Sequence, residues 1–231
     1  DFGMAQEAAP ADTWLPRETL AVASGLTHWI TENAKSTRAF LKRVEATVGI
    51  AAPVQAQHIT ELPRAAHKKG DHTPQAEGDA QARELLAAAL LGHDIGLVSE
   101  AGMPAIADPG SAVVRAAHAL GVKVVPLTGP VSLMLALAAS GLNGQSFAFV
   151  GYVPQEATER GKRLRELEAL SLKTGQTQIL IETPYRNTAL LQALLQTLHP
   201  HTRLAVCCAM SLPQQVSRSA LVSEWKRSPG T

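Results

Sequence analysis

Short apolar runs alternate along this chain with stretches in which apolar residues recur every three or four positions. One apolar run, Ile95–Val98, has the length and composition of a buried strand in a parallel sheet. Ser99–Gly102 follows with small side chains, at the end of the strand where α/β sheets bind ligands. Asp108 then predicts a helix N-cap and Pro109 a first helical residue. The same local pattern also fits a turn that binds no ligand.

The remaining periodicity predicts further helices and strands in alternation. Predicted helices are Glu18–Leu26, Asn33–Val44, Ala80–Leu91, Ser132–Ser140, Glu159–Leu170 and Tyr185–Leu198. Predicted strands are His28–Thr31, Val122–Leu127, Ser146–Val150, Gln178–Glu182, Arg203–Ala209 and Val216–Ser219. Val122–Leu127 would complete a parallel strand-helix-strand unit with Ile95–Val98. The fold class is therefore α/β, with an N-terminal α/β domain at 1–143 and a C-terminal α/β domain at 144–231.

Composition excludes several classes of protein. An apolar content of 45% with 18% charged residues is that of a globular protein and excludes disordered and fibrous chains. The formal net charge of +1 gives no global basic field, so any contact with nucleic acid requires a local basic patch. The sequence shows neither a secretory signal nor an apolar run long enough to cross a membrane, which favours a cytoplasmic location.

Four segments, in this order, resemble motifs of one enzyme family. They are Ser99–Gly110 (SEAGMPAIADPG), Val125–Ser132 (VPLTGPVS), Ser146–Pro154 (SFAFVGYVP) and Gln176–Arg186 (QTQILIETPYR). The family is that of the tetrapyrrole methylase-like, class III S-adenosylmethionine (SAM) dependent methyltransferases. Within it the chain is most similar to the branch that methylates ribose 2'-hydroxyls of bacterial small-subunit ribosomal RNA, and the similarity extends over about residues 28–227.

The resemblance implies a SAM cofactor in a cleft between two α/β domains. Small residues would let backbone groups reach the ligand in such a cleft. The residues that it assigns to the cofactor are Ser99, Glu100, Ala101, Gly102, Met103, Ile106, Val131, Ser132, Leu133, Glu182 and Thr183. The resemblance further implies a homodimer.

Glu32 is the candidate catalytic residue. It resembles a family carboxylate at a strand end facing the cleft, and a ribose hydroxyl must lose its proton as the methyl group arrives. An ion pair with Lys35 or Arg38 on the solvated helix face explains Glu32 equally well. The RNA-methylating branch has Asp where this chain has Asn33, so one carboxylate is lost there.

The nature of the methyl acceptor stays open between ribosomal RNA, or the small ribosomal subunit, and a tetrapyrrole. The family pattern has an apolar strand before Asp1 and another strand after Thr231, so these terminal strands are expected to be missing. That departure also leaves open a SAM-binding protein without catalysis. His67 and His72 have no metal-site spacing, and no metal is expected.

Overall fold

The computed structural model describes residues 10–63, 71 and 76–228, which divide into two compact units, Asp1–Val131 and Ser132–Thr231. The first unit contains helices and strands in the order α1 (Arg17–Gly25), β1 (His28–Thr31), α2 (Ala34–Val48), β2 (His58–Glu61), α3 (Ala76–Leu85), α4 (Ala87–Leu90), β3 (Ile95–Val98) and α5 (Ser111–Ala119). Its strands form a parallel sheet in the order β2-β1-β3. The predicted strands at 28–31 and 95–98 are confirmed, whereas sequence reasoning missed β2.

Helices cover both faces of this sheet. Neighbouring residues of β1 point to opposite faces, and both Trp29 and Ile30 are apolar, so each face needs a cover. Trp29 is buried on one face with Leu20 of α1 and with Leu41 of α2. Ile30 is buried on the other face, in a cluster that includes residues of α3 and Val113 of α5. The central strand therefore buries Trp29 and Ile30 in two separate cores, and it also buries the polar Thr31 at its carboxyl end.

The prediction of a strand at Val122–Leu127 is wrong. These residues have no regular secondary structure, and Val125 is 59% exposed. The Val122 N–H donates to the carbonyl of Ala117 in α5 (2.9 Å) instead of joining a ladder with β3. Branched side chains favour a strand only when a partner strand accepts their backbone hydrogen bonds, and Pro126 removes one donor from the segment. The predicted helix Ala80–Leu91 is also divided, into α3 and α4.

The second unit contains α6 (Ser132–Ser140), β4 (Phe147–Gly151), α7 (Ala157–Thr174), β5 (Thr177–Leu180), α8 (Asn187–Thr197), β6 (Arg203–Cys208), β7 (Val216–Leu221) and α9 (Val222–Arg227). β4 and β5 are parallel, and β6 and β7 form an antiparallel pair. Leucines of α7 and α8 share a core with Val222 of α9. Sequence reasoning missed α9, whose Trp225 is fully buried and donates its indole N–H to the carbonyl of Leu204 (2.9 Å).

The division between the units lies earlier than the predicted boundary at 143. Helix α6 contacts β6 and β7, and the Cys207 thiol lies 3.7 Å from the carbonyl oxygen of Ala136. These contacts group α6 with the second unit. Among the described residues, no helix combines the length and the apolar character needed to cross a membrane.

Helix α5 is capped by a residue distant in sequence, and the prediction of Asp108 as its N-cap is wrong. The helix begins at Ser111, after Gly110 with φ 136°. Asp71 Oδ2 accepts hydrogen bonds from the backbone N–H groups of Gly110 (2.8 Å) and Ala112 (3.1 Å). The Arg115 guanidinium donates to the Asp71 carbonyl at 3.3 and 3.4 Å. Asp71 therefore satisfies the helix N-terminus in place of a local side chain.

We expect Asp71→Ala to lower the free energy of unfolding by about 0.5–2 kcal/mol, because two helix N–H groups lose their acceptor. Asp71→Asn keeps an acceptor oxygen and should lose less. Urea unfolding of the three proteins measures the difference. Equal midpoints for the alanine variant and the parent protein would contradict the capping role.

Candidate functional site

The carboxyl ends of three parallel strands lie side by side at one edge of the first unit's sheet. Thr31 of β1 is paired in register with Glu61 of β2 and with Val98 of β3. Glu32 and Ser99 are the next residues along β1 and β3. Loops that follow parallel strands at such an edge are the usual ligand-binding part of an α/β sheet.

The N-terminus of α2 is held at this edge by two side chains. Asn33 Oδ1 accepts hydrogen bonds from the N–H groups of Lys35 (2.8 Å) and Ser36 (3.3 Å). Glu61 Oε1 accepts one from Ala34 N–H (2.7 Å). Asn33 is therefore the N-cap of α2, for which Asn and Asp are about equally suitable. The missing Asp at this position leaves the helix start intact.

The loop after β3 is tied to the same helix. The Ser36 hydroxyl donates to Glu100 Oε1 (2.8 Å), and the Ser99 hydroxyl donates to the carbonyl of Gly102 (3.3 Å). Glu32 lies half-buried directly after β1. The structure thus brings the predicted catalytic carboxylate to the edge that carries the first part of the predicted cofactor loop.

Gly102 lies in the left-handed region, with φ 88°, and is exposed. A Cβ added there has no heavy atom of the described residues within 4 Å. Its backbone therefore borders open space, and only glycine adopts this conformation without strain. A ligand can approach the main chain here.

The rest of the loop, between Gly102 and Gly110, is strained. Ala105 and Ala107 have φ 64° and 62°, which is unusual for residues with a Cβ. The Ala105 N–H donates to the Pro109 carbonyl (3.2 Å), and this short closure leaves Ile106 42% exposed. Backbone strain of this kind concentrates at ligand-binding segments. The sequence did not reveal it, because alanine is not a residue that indicates a left-handed position.

Asp108 is a half-buried carboxyl of this loop. Burial raises its pKa above the ordinary value; a hydrogen bond with the Ser99 side chain opposes the rise, and the negative charge of Glu100 adds to it. The ionised carboxylate is therefore less stable in the folded protein than in the unfolded chain. A bound cation would offset this cost.

The predicted cofactor residues of the second unit, Glu182 and Thr183, lie just beyond β5. Glu182 Oε1 accepts hydrogen bonds from the Thr183 N–H (2.7 Å) and hydroxyl (3.2 Å). It also forms an ion pair with Nη2 of Arg186 (2.6 Å). The Glu182 side chain is only 8% exposed, and all of these contacts are to residues of its own turn. The main role of this oxygen in the structure is therefore to stabilise that turn.

The remaining predicted residues lie around the start of α6. Val131 is half-buried at the end of the first unit, Ser132 is exposed, and the Leu133 side chain is buried. A buried leucine can face a ligand through its backbone alone. His67 and His72, from which no metal site was expected, lie outside the described residues.

We expect Asp108→Asn to raise the free energy of unfolding at neutral pH. The folded-state pKa is raised, so the penalty for ionisation is absent below about pH 3.8 and grows as the pH rises through the folded value. The gain should therefore vanish in acid. Denaturant unfolding at several pH values measures it, and Asp94→Asn, at an exposed carboxylate before β3, controls for the loss of charge. A gain that does not depend on pH would contradict this account.

Curated relatives cover part of the chain. A protein named ribosomal RNA small subunit methyltransferase I from Vibrio cholerae is 40% identical over 128 residues, which are 55% of this chain and 42% of that protein. The protein of the same name from Pseudomonas aeruginosa is 42% identical over 95 residues, or 41% of this chain and 32% of its own length. The aligned part is thus less than half of each relative.

Solved structures are similar in fold over most of the chain. The methyltransferase CobJ has a TM-score of 0.52 at 19% identity, covering 91% of this chain and 82% of its own. A putative cobalamin synthesis related protein (CobF) from Corynebacterium diphtheriae has a TM-score of 0.53 at 15% identity, covering 96% and 85%. At these identities the likeness concerns the fold, and it confirms the predicted α/β class. The family model of tetrapyrrole (corrin/porphyrin) methylases matches residues 24–225, and the chain belongs to that family.

Proposed function

We propose that this protein is a SAM-dependent methyltransferase that modifies a ribose hydroxyl of small-subunit ribosomal RNA. The observation that carries the proposal is the Ser99–Gly110 loop at the carboxyl edge of a parallel sheet, in a chain of a methylase family. The two relatives named as ribosomal RNA methyltransferases support RNA as the acceptor.

The loop fits SAM in chemistry. The cofactor carries a sulfonium and an ammonium group, both cationic, and the loop presents the carboxyls of Glu100 and Asp108. The raised pKa of Asp108 makes a cationic partner favourable, because its charge stabilises the ionised carboxylate. The exposed backbone at Gly102 offers polar groups in open space, and Met103 and Ile106 offer apolar contacts. Bound SAM supplies an electrophilic methyl group.

Glu32 is our candidate for the general base. It follows the central strand at the edge where the cofactor loop begins, and its side chain is half-buried there. A carboxylate in this role accepts the proton that the acceptor hydroxyl loses. Much of the remaining rate enhancement would come from holding the two reactants in line, which can contribute about 7–11 kcal/mol.

Two other functions stay as alternatives. Family membership favours a tetrapyrrole as the second acceptor, since the matching family is named for corrin and porphyrin methylation. A SAM-binding protein without catalysis is the third reading. The homodimer and the cytoplasmic location stay predictions, and the exposed apolar side chains of Met134 and Leu135 on α6 support self-association.

We expect the protein to bind SAM or S-adenosylhomocysteine, and Gly102→Val to abolish binding because its side chain occupies the open space beside the backbone. Gly92→Val is a matched control, since Gly92 has φ 90°, a similarly open Cβ position and a place before β3, at the other end of the strand. Calorimetry on ligand-free protein measures both. Tight binding by folded Gly102→Val, or no binding by the parent protein at millimolar SAM, would overturn the cofactor site.

We expect labelled SAM to transfer its methyl group to small ribosomal subunits or their RNA, and not to a uroporphyrinogen-type tetrapyrrole. Glu32→Gln should lower the transfer rate by about 10²–10⁴-fold, with SAM affinity unchanged, because proton removal is lost. Labelling of the tetrapyrrole alone would reverse the choice of acceptor. Labelling of none of the three, with SAM bound, would favour the non-catalytic reading.

A further inference from the structure

Two exposed tyrosines and one arginine form a cluster at the carboxyl ends of β4 and β5. Tyr152 follows the last residue of β4, and Tyr185 and Arg186 lie in the turn Pro184–Arg186 after β5. We call Tyr152, Tyr185 and Arg186 the Tyr–Arg cluster. The chain has only two tyrosines, and both are in this cluster.

The arginine holds the cluster together. Its guanidinium carbon lies 5.9 Å from the ring centroid of Tyr152 and 5.6 Å from that of Tyr185, within the range of cation–π contacts. Nη2 binds Glu182 Oε1 at 2.6 Å, and Nε donates to the Thr183 hydroxyl at 3.3 Å. The guanidinium is therefore held by the turn that follows β5.

The tyrosine rings contribute little to the fold. Tyr152 is 55% exposed and Tyr185 is 82% exposed, and within the described parts of the chain neither hydroxyl forms a hydrogen bond. Aromatic side chains stabilise a fold mainly by the area that they bury, so these rings leave most of that capacity unused. Because Arg186 already orders them, a flat ligand would stack on them at a low cost in conformational entropy.

The chemistry of the cluster selects a nucleobase over an apolar surface. Rings of this kind stack on any base, and a neighbouring guanidinium adds attraction to the adjacent phosphate. Exposed cations of α7, Lys162, Arg163 and Arg165, lie on the helix that begins a few residues after Tyr152. Glu182, which is ion-paired with Arg186, neutralises part of the arginine's charge. Stacking on the rings, and not charge, is therefore the main attraction for the ligand.

We propose that the Tyr–Arg cluster binds an unpaired nucleotide of the substrate RNA by stacking its base on Tyr185. The assignment rests on the proposed function for the identity of the RNA, but not for the binding itself. A duplex has no free base face to offer, so the cluster selects single-stranded segments such as loops and bulges.

The test is binding of a fluorescein-labelled, pyrimidine-rich single-stranded RNA of about ten nucleotides, followed by anisotropy. We expect Tyr185→Ala to weaken binding by about 5- to 150-fold, the range of one lost stacking contact. Tyr185→Phe keeps the ring and should bind within about twofold of the parent protein. Because stacking does not release counterions, the alanine-to-parent ratio should change little between low and high salt.

Phe147→Ala is the matched control. Phe147 is an exposed aromatic residue at the other end of β4, with 40% exposure, and its loss should leave RNA binding unchanged. Circular dichroism and SAM calorimetry show that each variant is folded. Unchanged RNA binding by Tyr185→Ala, an equal loss with Tyr185→Phe, or an equal loss for a duplex of the same sequence would overturn the proposal.

The two proposals fail separately. Methyl transfer to ribosomal RNA that is insensitive to Tyr185→Ala would overturn the stacking site and leave the methyltransferase in place. Single-stranded RNA binding that depends on Tyr185, without any transfer, would overturn the enzymatic proposal and leave the stacking site. If the parent protein binds no single-stranded RNA, the stacking site is overturned. Binding of a protein to the cluster would not rescue it.

Discussion

The packing of the Trp29 indole against Gly96 is the constraint on which the first unit depends. Trp29 and Gly96 are paired across β1 and β3, and a Cβ at residue 96 would lie 2.5 Å from two carbons of the indole ring. The indole N–H of Trp29 donates to Gln57 Oε1 (2.9 Å). Gln57 lies just before β2, so this bond ties the ring to that strand as well. One large side chain therefore sets the register of all three strands. That register brings Glu32, Glu61 and Ser99 to the same edge.

The site edge combines structural and functional demands on a few carboxylates. Glu61 and Asp71 satisfy helix N-termini from a distance, and their charges complement the helix dipoles. Asp108 does the opposite, since its burial opposes ionisation. A neutral side chain would be more stable there, and the carboxyl and the left-handed alanines of the loop therefore support the cofactor site that we propose.

The second unit uses one ion pair for a related purpose. Glu182 and Arg186 close the turn after β5, and their pairing is shielded because the Glu182 side chain is 8% exposed. The pair is less valuable for folding than for geometry, because desolvating both charges offsets much of their attraction. Its effect is to orient Thr183 and the two tyrosines. The motif that the resemblance assigned to the cofactor thus also organises an exposed aromatic surface.

The sequence by itself determined the class of the fold, the strands at 28–31 and 95–98, most helices and the family. Local hydrophobic periodicity and glycine-rich motifs involve residues that are close in the sequence, so they can be recognised without a structure. Tertiary structure alone decided that Asp71 caps α5, that 122–127 pairs with no strand of the described residues, and that Trp225 is a buried residue of a short helix whose charged residues are exposed. It also decided that Tyr152, which follows β4, and Tyr185, which follows β5, both lie beside Arg186. Each of these depends on a contact between residues far apart in the chain, whose formation depends on packing and on hydrogen-bond partners that no local pattern specifies.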